Sequence, residues 1–422
     1  LWWIGHGQGV WHLPARWRQF TLLPGARDGG PGLDGDHVLA LVPSGDARVW
    51  VASESGSVQR VDLRTGHSDR GFDYRPVRLR TGAVGMAEDR RGQVWVTSGN
   101  TLSRYVPGTG RLRHWLLGWE GGTGAVDLQA CADGSLWLAR ADRIQRRDAE
   151  GALQMSAVPQ TLGLVPPVHG PQLLCTDDGD LWAVDRSGVK RWLPAQERFA
   201  SVEGAPRAEV GAIARGGDGH YWVSSPSVLR RYRWDGQQLR MTHTFGPVQG
   251  YPQLLARALV VDARGVAWVG AARGLVRVDP HGGGVRRFGS DDGLPAHDVL
   301  PRRLVRTAGD HVVAAVHEGG VLLFDPVAVL RPARTPGLVI HALTARRGNA
   351  QITLPVGTGP IPLSGADRHI RVAARLLSGG DQAHVRYRFR LQGLDPEWQE
   401  SGAAGLRVFE RLPPGLQTLD VQ

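Results

Sequence analysis

The chain has 422 residues, 41% hydrophobic and 21% charged, which describes an ordinary folded protein too long for one compact core. Its formal net charge of +10 is carried almost wholly by arginine, because Lys190 is the single lysine. The arginines are scattered rather than massed in a stripe with interleaved aromatics, so nucleic-acid binding is not predicted.

In chain order, one short phrase keeps returning. It reads LWWIG around Trp3, RVWVA around Trp50, QVWVT around Trp95 and SLWLA around Trp137. DLWAV around Trp182, HYWVS around Trp222 and VAWVG around Trp268 follow, and HVVAA puts Val313 in the tryptophan's place. The spacing stays between 40 and 47 residues, a period that marks a propeller or another repeat array. High Gly (58) and Pro (27) without a collagen period suit many short strands joined by tight turns.

The copy at 256–290 shows the unit. Apolar Leu259–Val261, a turn at Asp262–Gly265 and a strand through Trp268 are followed by strands at Leu275–Val278 and Val285–Phe288. Four strands per repeat make one propeller blade. Gly265, with Gly92, Gly134, Gly179 and Gly219 at matching places, suits the positive φ of the turn. The recurring tryptophan fills the wedge between blades, so it is a packing residue. Eight copies favour eight blades if all close one ring; seven close it if the first copy belongs elsewhere.

Cys131 and Cys175 fall just before the turns leading to Trp137 and Trp182, offset by one residue. Neighbouring blades could bring them together, but a one-residue offset turns strand side chains to opposite faces. Two buried free thiols are therefore favoured over a disulfide.

From about 337 the period breaks, after Pro332 and Pro336. The boundaries predicted are 1–330 for the propeller and 331–422 for a second domain. The chain opens inside a repeat, and LQTLDVQ stops in a strand-like run, so it reads as a piece of something longer.

The copy at Leu259–Asp279, with the connector-like DGLPAHDVL (Asp292–Leu300), resembles the two-component regulator propeller repeats of bacterial sensor proteins. The copies at Trp137, Trp182 and Trp222 depart most, lacking the glycine after the W-x pair. VRYRFRLQGLDPEW (Val385–Trp398) and FERLPPG (Phe409–Gly415) resemble the Y_Y_Y domain that follows such propellers. Tyr387 is kept, while Phe389 and Phe409 stand where relatives often carry tyrosine.

The resemblance implies an all-β chain: a seven- or eight-bladed propeller of four-stranded blades plus a C-terminal immunoglobulin-like β-sandwich. It also implies the periplasmic sensor region of a membrane-anchored signalling protein, a homodimer at full length, with a histidine kinase or diguanylate cyclase as output. No run of 18 apolar residues occurs, so the membrane would be reached only through segments outside this chain.

Propeller geometry nominates a ligand face, where the loops joining strands two and three meet the links between blades. Those loops carry His6, Arg140, Arg143, Arg186, Arg273 and His317. Arginine forks hold carboxylates bidentately, so the ligand expected is small and polar, an oligosaccharide or a carboxylated metabolite. Trp119 and Tyr251, on glycine-bearing loops, are candidate exposed aromatics for stacking on a sugar. No H-E-x-x-H, tight His/Cys cluster or G-x-S-x-G elbow occurs, so no catalytic residue, metal or cofactor is predicted. The alternatives are a propeller binding a protein partner, and a lyase-like enzyme using His6 or His317 with a metal.

Overall fold

The computed structural model describes residues 2–6, 9–13, 19–25, 32–35, 37–73, 84–119, 127–165, 170–271, 274–282, 284–296, 298–330, 337–357, 359–377 and 385–422. Among these the regular structure is strand, with a few short 3-10 turns and no α-helix. The chain divides into two compact units, Arg18–Leu330 and Leu1–Trp17 with Arg331–Gln422.

In the first unit, residues 20–324 form seven four-stranded antiparallel sheets, six of them sequential hairpins. They are named below by their repeat residue: Trp50, Trp95, Trp137, Trp182, Trp222, Trp268 and Val313. The first strand of each sheet packs beside the first strand of the next, and the Val313 sheet returns to the Trp50 sheet, so the ring is closed and propeller-like. Phe20–Leu23 closes it by pairing antiparallel with Val321–Phe324 as the outer strand of the last sheet. The copy at Trp3 lies instead in a two-stranded sheet, Trp2–His6 with Gly9–Leu13.

The turn between first and second strands explains the repeat. Buried Asp262 accepts the backbone N–H groups of Arg264 (3.0 Å) and Val266 (3.1 Å) and the Trp268 indole N–H (3.1 Å). Asp89 does the same for Arg91, Gln93 and Trp95. One aspartate thus folds its own turn and fixes the tryptophan six residues on. Gly92, Gly134, Gly179, Gly219 and Gly265 have φ between +71° and +92°, a conformation costly for residues with a Cβ. The six repeat tryptophans, Trp50, Trp95, Trp137, Trp182, Trp222 and Trp268, and Val313 are buried in the hydrophobic clusters.

Cys131 and Cys175 are joined in a disulfide, with Cα atoms 5.2 Å apart, which corrects the expectation of free thiols. Cys131 opens its turn, whereas Cys175 is the last residue of its strand. Strand alternation governs faces within one sheet; these two belong to sheets rotated relative to one another.

The second unit contains a four-stranded and a three-stranded sheet over one core. Tyr387, Phe389 and Leu391 of one sheet pack with Leu343, Ile370, Val372 and Phe409 of the other. The Tyr387 phenol oxygen accepts the Leu376 N–H at 2.9 Å, tying the sheets.

Candidate functional site

First strands line the axis of the ring, and their registers define its ends. Asp127 pairs with Ala139 and Gln172 with Val184, so each first strand starts beside the end of its second strand. The entries to the first strands and the loops joining strands two and three therefore share one face. A cavity of about 780 Å³ runs along the axis, lined by the first strands of all seven sheets. That is within the size range of ligand pockets.

At the mouth on this face the last sheet breaks its ladder. Val299 pairs with Val316 and Leu304 with Ala314, so residues 300–303 together oppose Ala315. Such a bulge re-aims side chains that a regular strand would alternate. Arg302 adopts φ +60° and its N–H bonds to the Arg257 carbonyl at 2.8 Å. Both guanidinium groups enter the mouth. Arg302 donates to the carbonyls of Gly170 (2.7 Å) and Pro171 (3.4 Å), and Arg303 to those of Leu39 (2.5 Å) and Val84 (3.1 Å). Two consecutive arginines of the Val313 sheet thus reach the entries to the Trp50, Trp95 and Trp182 sheets.

The mouth is cationic. Burial lowers Arg303 to about 10, opposed by the Asp127 charge and reinforced by Arg302; the guanidinium stays protonated at neutral pH. Arg302 is lowered by burial and by Arg257, against Asp127. Arg257 and Arg186 join them with exposed side chains. Among the described lining residues at this end, the carboxylates are Asp127, Glu209 and Asp185. Asp185 is already held by Lys190 at 3.3 Å and by the Val165 N–H. Asp127 accepts the Leu173 N–H at 2.6 Å and the Gln129 amide at 3.0 Å. At the opposite end the arginines are paired, Arg215 with Asp178 (2.8 Å) and Arg306 with Asp310 (3.3 Å), and Glu88 accepts the Trp50 indole N–H at 2.6 Å.

Of the eight residues nominated from sequence, Arg186 lines this cavity. Arg140 is buried, forks onto Asp142 with two 2.5 Å bonds and stacks on the Trp119 ring at 4.8 Å. That bond, ahead of opposing burial, holds the Asp142 carboxyl below its usual value. Arg143 is half-buried beside it and His317 is exposed, its N–H bonded to the Asp298 carbonyl at 2.8 Å; neither lines the cavity. The side chain of His6 and all of Arg273 lie outside the described residues.

Trp119 and Tyr251 are corrected: both are buried, at 5% and 2% exposure, not displayed for stacking. Trp119 packs between the Trp95 and Trp137 sheets, and Tyr251 between the Trp222 and Trp268 sheets, where burial pushes its phenol up to about 12. Loop composition is polar in both places, but polarity of neighbours does not fix where one large ring packs. Sequence reasoning also passed over Arg302, Arg303, Arg257 and Asp127. The available signal was a double arginine in PRRLVRT, where no other first strand carries two consecutive charged residues.

No protein-family model and no curated protein matches the chain. Among solved structures, it is similar to the extracellular domain of the hybrid two component system BT3049 of B. thetaiotaomicron. That match has a TM-score of 0.69 and 14% identity, over 96% of this chain and 55% of that one. The extracellular domain of BT4673 of the same organism matches with TM-score 0.56 and 14% identity, over 95% and 56%. Virginiamycin B lyase from Staphylococcus aureus matches with TM-score 0.55 and 13% identity, over 72% of this chain and 97% of that one. The chain spans about half the length of the two extracellular domains, and identities this low show likeness of fold alone.

Proposed function

We propose that this chain is the periplasmic ligand-sensing region of a membrane-anchored bacterial signalling protein. It would comprise a seven-bladed propeller of the regulator type and an immunoglobulin-like Y_Y_Y domain. The propeller binds a small polar ligand at the axial mouth and passes the occupancy to a histidine kinase or diguanylate cyclase. The observation that carries the reading is the closed ring whose mouth gathers charged side chains from several sheets. Fold likeness to two extracellular domains over nearly the whole chain supports it. So does the disulfide, since such bonds persist in oxidising compartments such as the periplasm. No helix among the described residues is long and apolar enough to cross a membrane.

A lyase-like reading is favoured by the match to nearly all of virginiamycin B lyase. It requires a histidine acting with a metal, whereas the described charged residues at the mouth are arginines and carboxylates.

Thermal-shift screening against sugars, oligosaccharides and small acids tests the sensor reading, because a ligand of the native state raises the midpoint by mass action. A reproducible rise lost on changing mouth residues supports it. Silence throughout shifts the reading to a protein partner, and turnover of a bound compound shifts it to an enzyme.

A further inference from the structure

We infer that the axial mouth selects a hydroxylated carboxylate, with Arg257 and Arg302 as the groups that read its charge; this rests on the mouth being the ligand site. Three observations carry it. First, the chain departs from a regular strand, and places a non-glycine residue at φ +60°, at the one point that turns two arginines into the mouth. Conformations of this kind persist where surrounding structure holds them, and they cluster at functional sites.

Second, the charges do not cancel. Arg186, Arg257, Arg302 and Arg303 face Asp127 and Glu209, while Asp185 is held by Lys190. Like charges brought together in a concave, partly dehydrated mouth raise the local anion concentration.

Third, the arginines of the mouth differ in role. Arg303 spans two sheet entries through carbonyl bonds and works as a strut, but Arg257 has an exposed side chain and Arg302 reaches carbonyls of one link only. Guanidinium groups suit a carboxylate bidentately. Asp127 and Glu209 repel a second negative charge and accept hydroxyl hydrogens, which favours one carboxylate with hydroxyls over a phosphate dianion.

The test is calorimetric titration of the whole chain with D-galacturonate, D-galactose and inorganic phosphate at low and high salt. Saturable, salt-weakened binding of galacturonate without galactose is expected, with Kd rising roughly tenfold or more in Arg257→Gln. Arg302→Gln should behave likewise; if it fails to fold, Arg257→Gln decides alone. Absence of galacturonate binding up to about 10 mM, or binding indifferent to Arg257→Gln, overturns the inference. Galactose binding as tightly as galacturonate also overturns it, while leaving the sensor reading intact. Phosphate binding alone overturns the carboxylate class.

Discussion

The Trp268 and Trp222 sheets have the same strand order and differ in how their tryptophan is held. In the Trp268 sheet, Asp262 stands six residues before the indole and accepts its N–H. In the Trp222 sheet that position is Gly216, and the Trp222 N–H has no acceptor among the described residues. Trp137 and Trp182 have Cys131 and Thr176 there; Trp137 turns to Ser135 (3.1 Å), and Trp182 is not held by its own turn but packs against Tyr221 at 4.8 Å. The divergent copies keep the ring's packing without the aspartate hub, and two of them are tied by the disulfide instead. Burial of the large ring is the shared requirement; the polar cap is a local addition.

The largest expected effect breaks the disulfide side of that comparison. Closing a loop with a sequence separation of 44 residues is worth about 4 kcal/mol on chain entropy. Cys131→Ser with Cys175→Ser should therefore lower the denaturant midpoint steeply, and dithiothreitol should do the same to the parent chain alone. Equal midpoints with and without reductant would mean the divergent sheets stand without the bond.

Next comes the hub. Asp262→Ala strands two backbone N–H groups and an indole N–H, costing about 2–3 kcal/mol by chemical denaturation. Thr176→Ala, at the same place before Trp182, should cost clearly less, because its bonds go to Asp180 and Asp178 rather than the indole. Trp268→Phe against Trp222→Phe sharpens the contrast further. Both lose ring area, but only the first loses an N–H bond, so it should be worse by about 1 kcal/mol.

The smallest effect is in pH. Hydrogen bonds from the Gln238 and Gln237 backbone, with Arg240, hold Asp235 near 2, and Arg140 holds Asp142 below 3.8. Carboxyls depressed in the folded state contribute stability above their unfolded value and lose it as pH falls through the folded one. The melting temperature should stay level down to about pH 4 and then decline toward pH 2. A decline beginning near pH 6 would point to histidine instead.

The ring and its period were legible because Trp, Gly and Asp each answer a local demand: a wedge, a positive φ, a turn cap. What escaped was set by distance along the chain or by irregularity. FTLL at 20–23 carries no mark of its partner at 321–324. The Arg302–Arg303 bulge violates the alternation on which strand reading depends, so its arginines read as scattered surface charge. Arg186 alone of the described candidates reached the cavity; Arg140 was already engaged by Asp142, a partner two residues away whose contact a loop sequence does not reveal.

Ring closure by Phe20–Leu23 has a consequence for how the chain is made. Phe20 meets Phe324 edge to face at 5.3 Å, in register across nearly the whole ring. At about 5–20 residues per second of synthesis, the N-terminal strand waits roughly 15–60 s for its partner. Until then the nascent array has an open flank at each end, and between synthesis and pairing the Val321–Phe324 edge is available to the same strand of another molecule. Crowded synthesis therefore favours exchange of closing strands between copies.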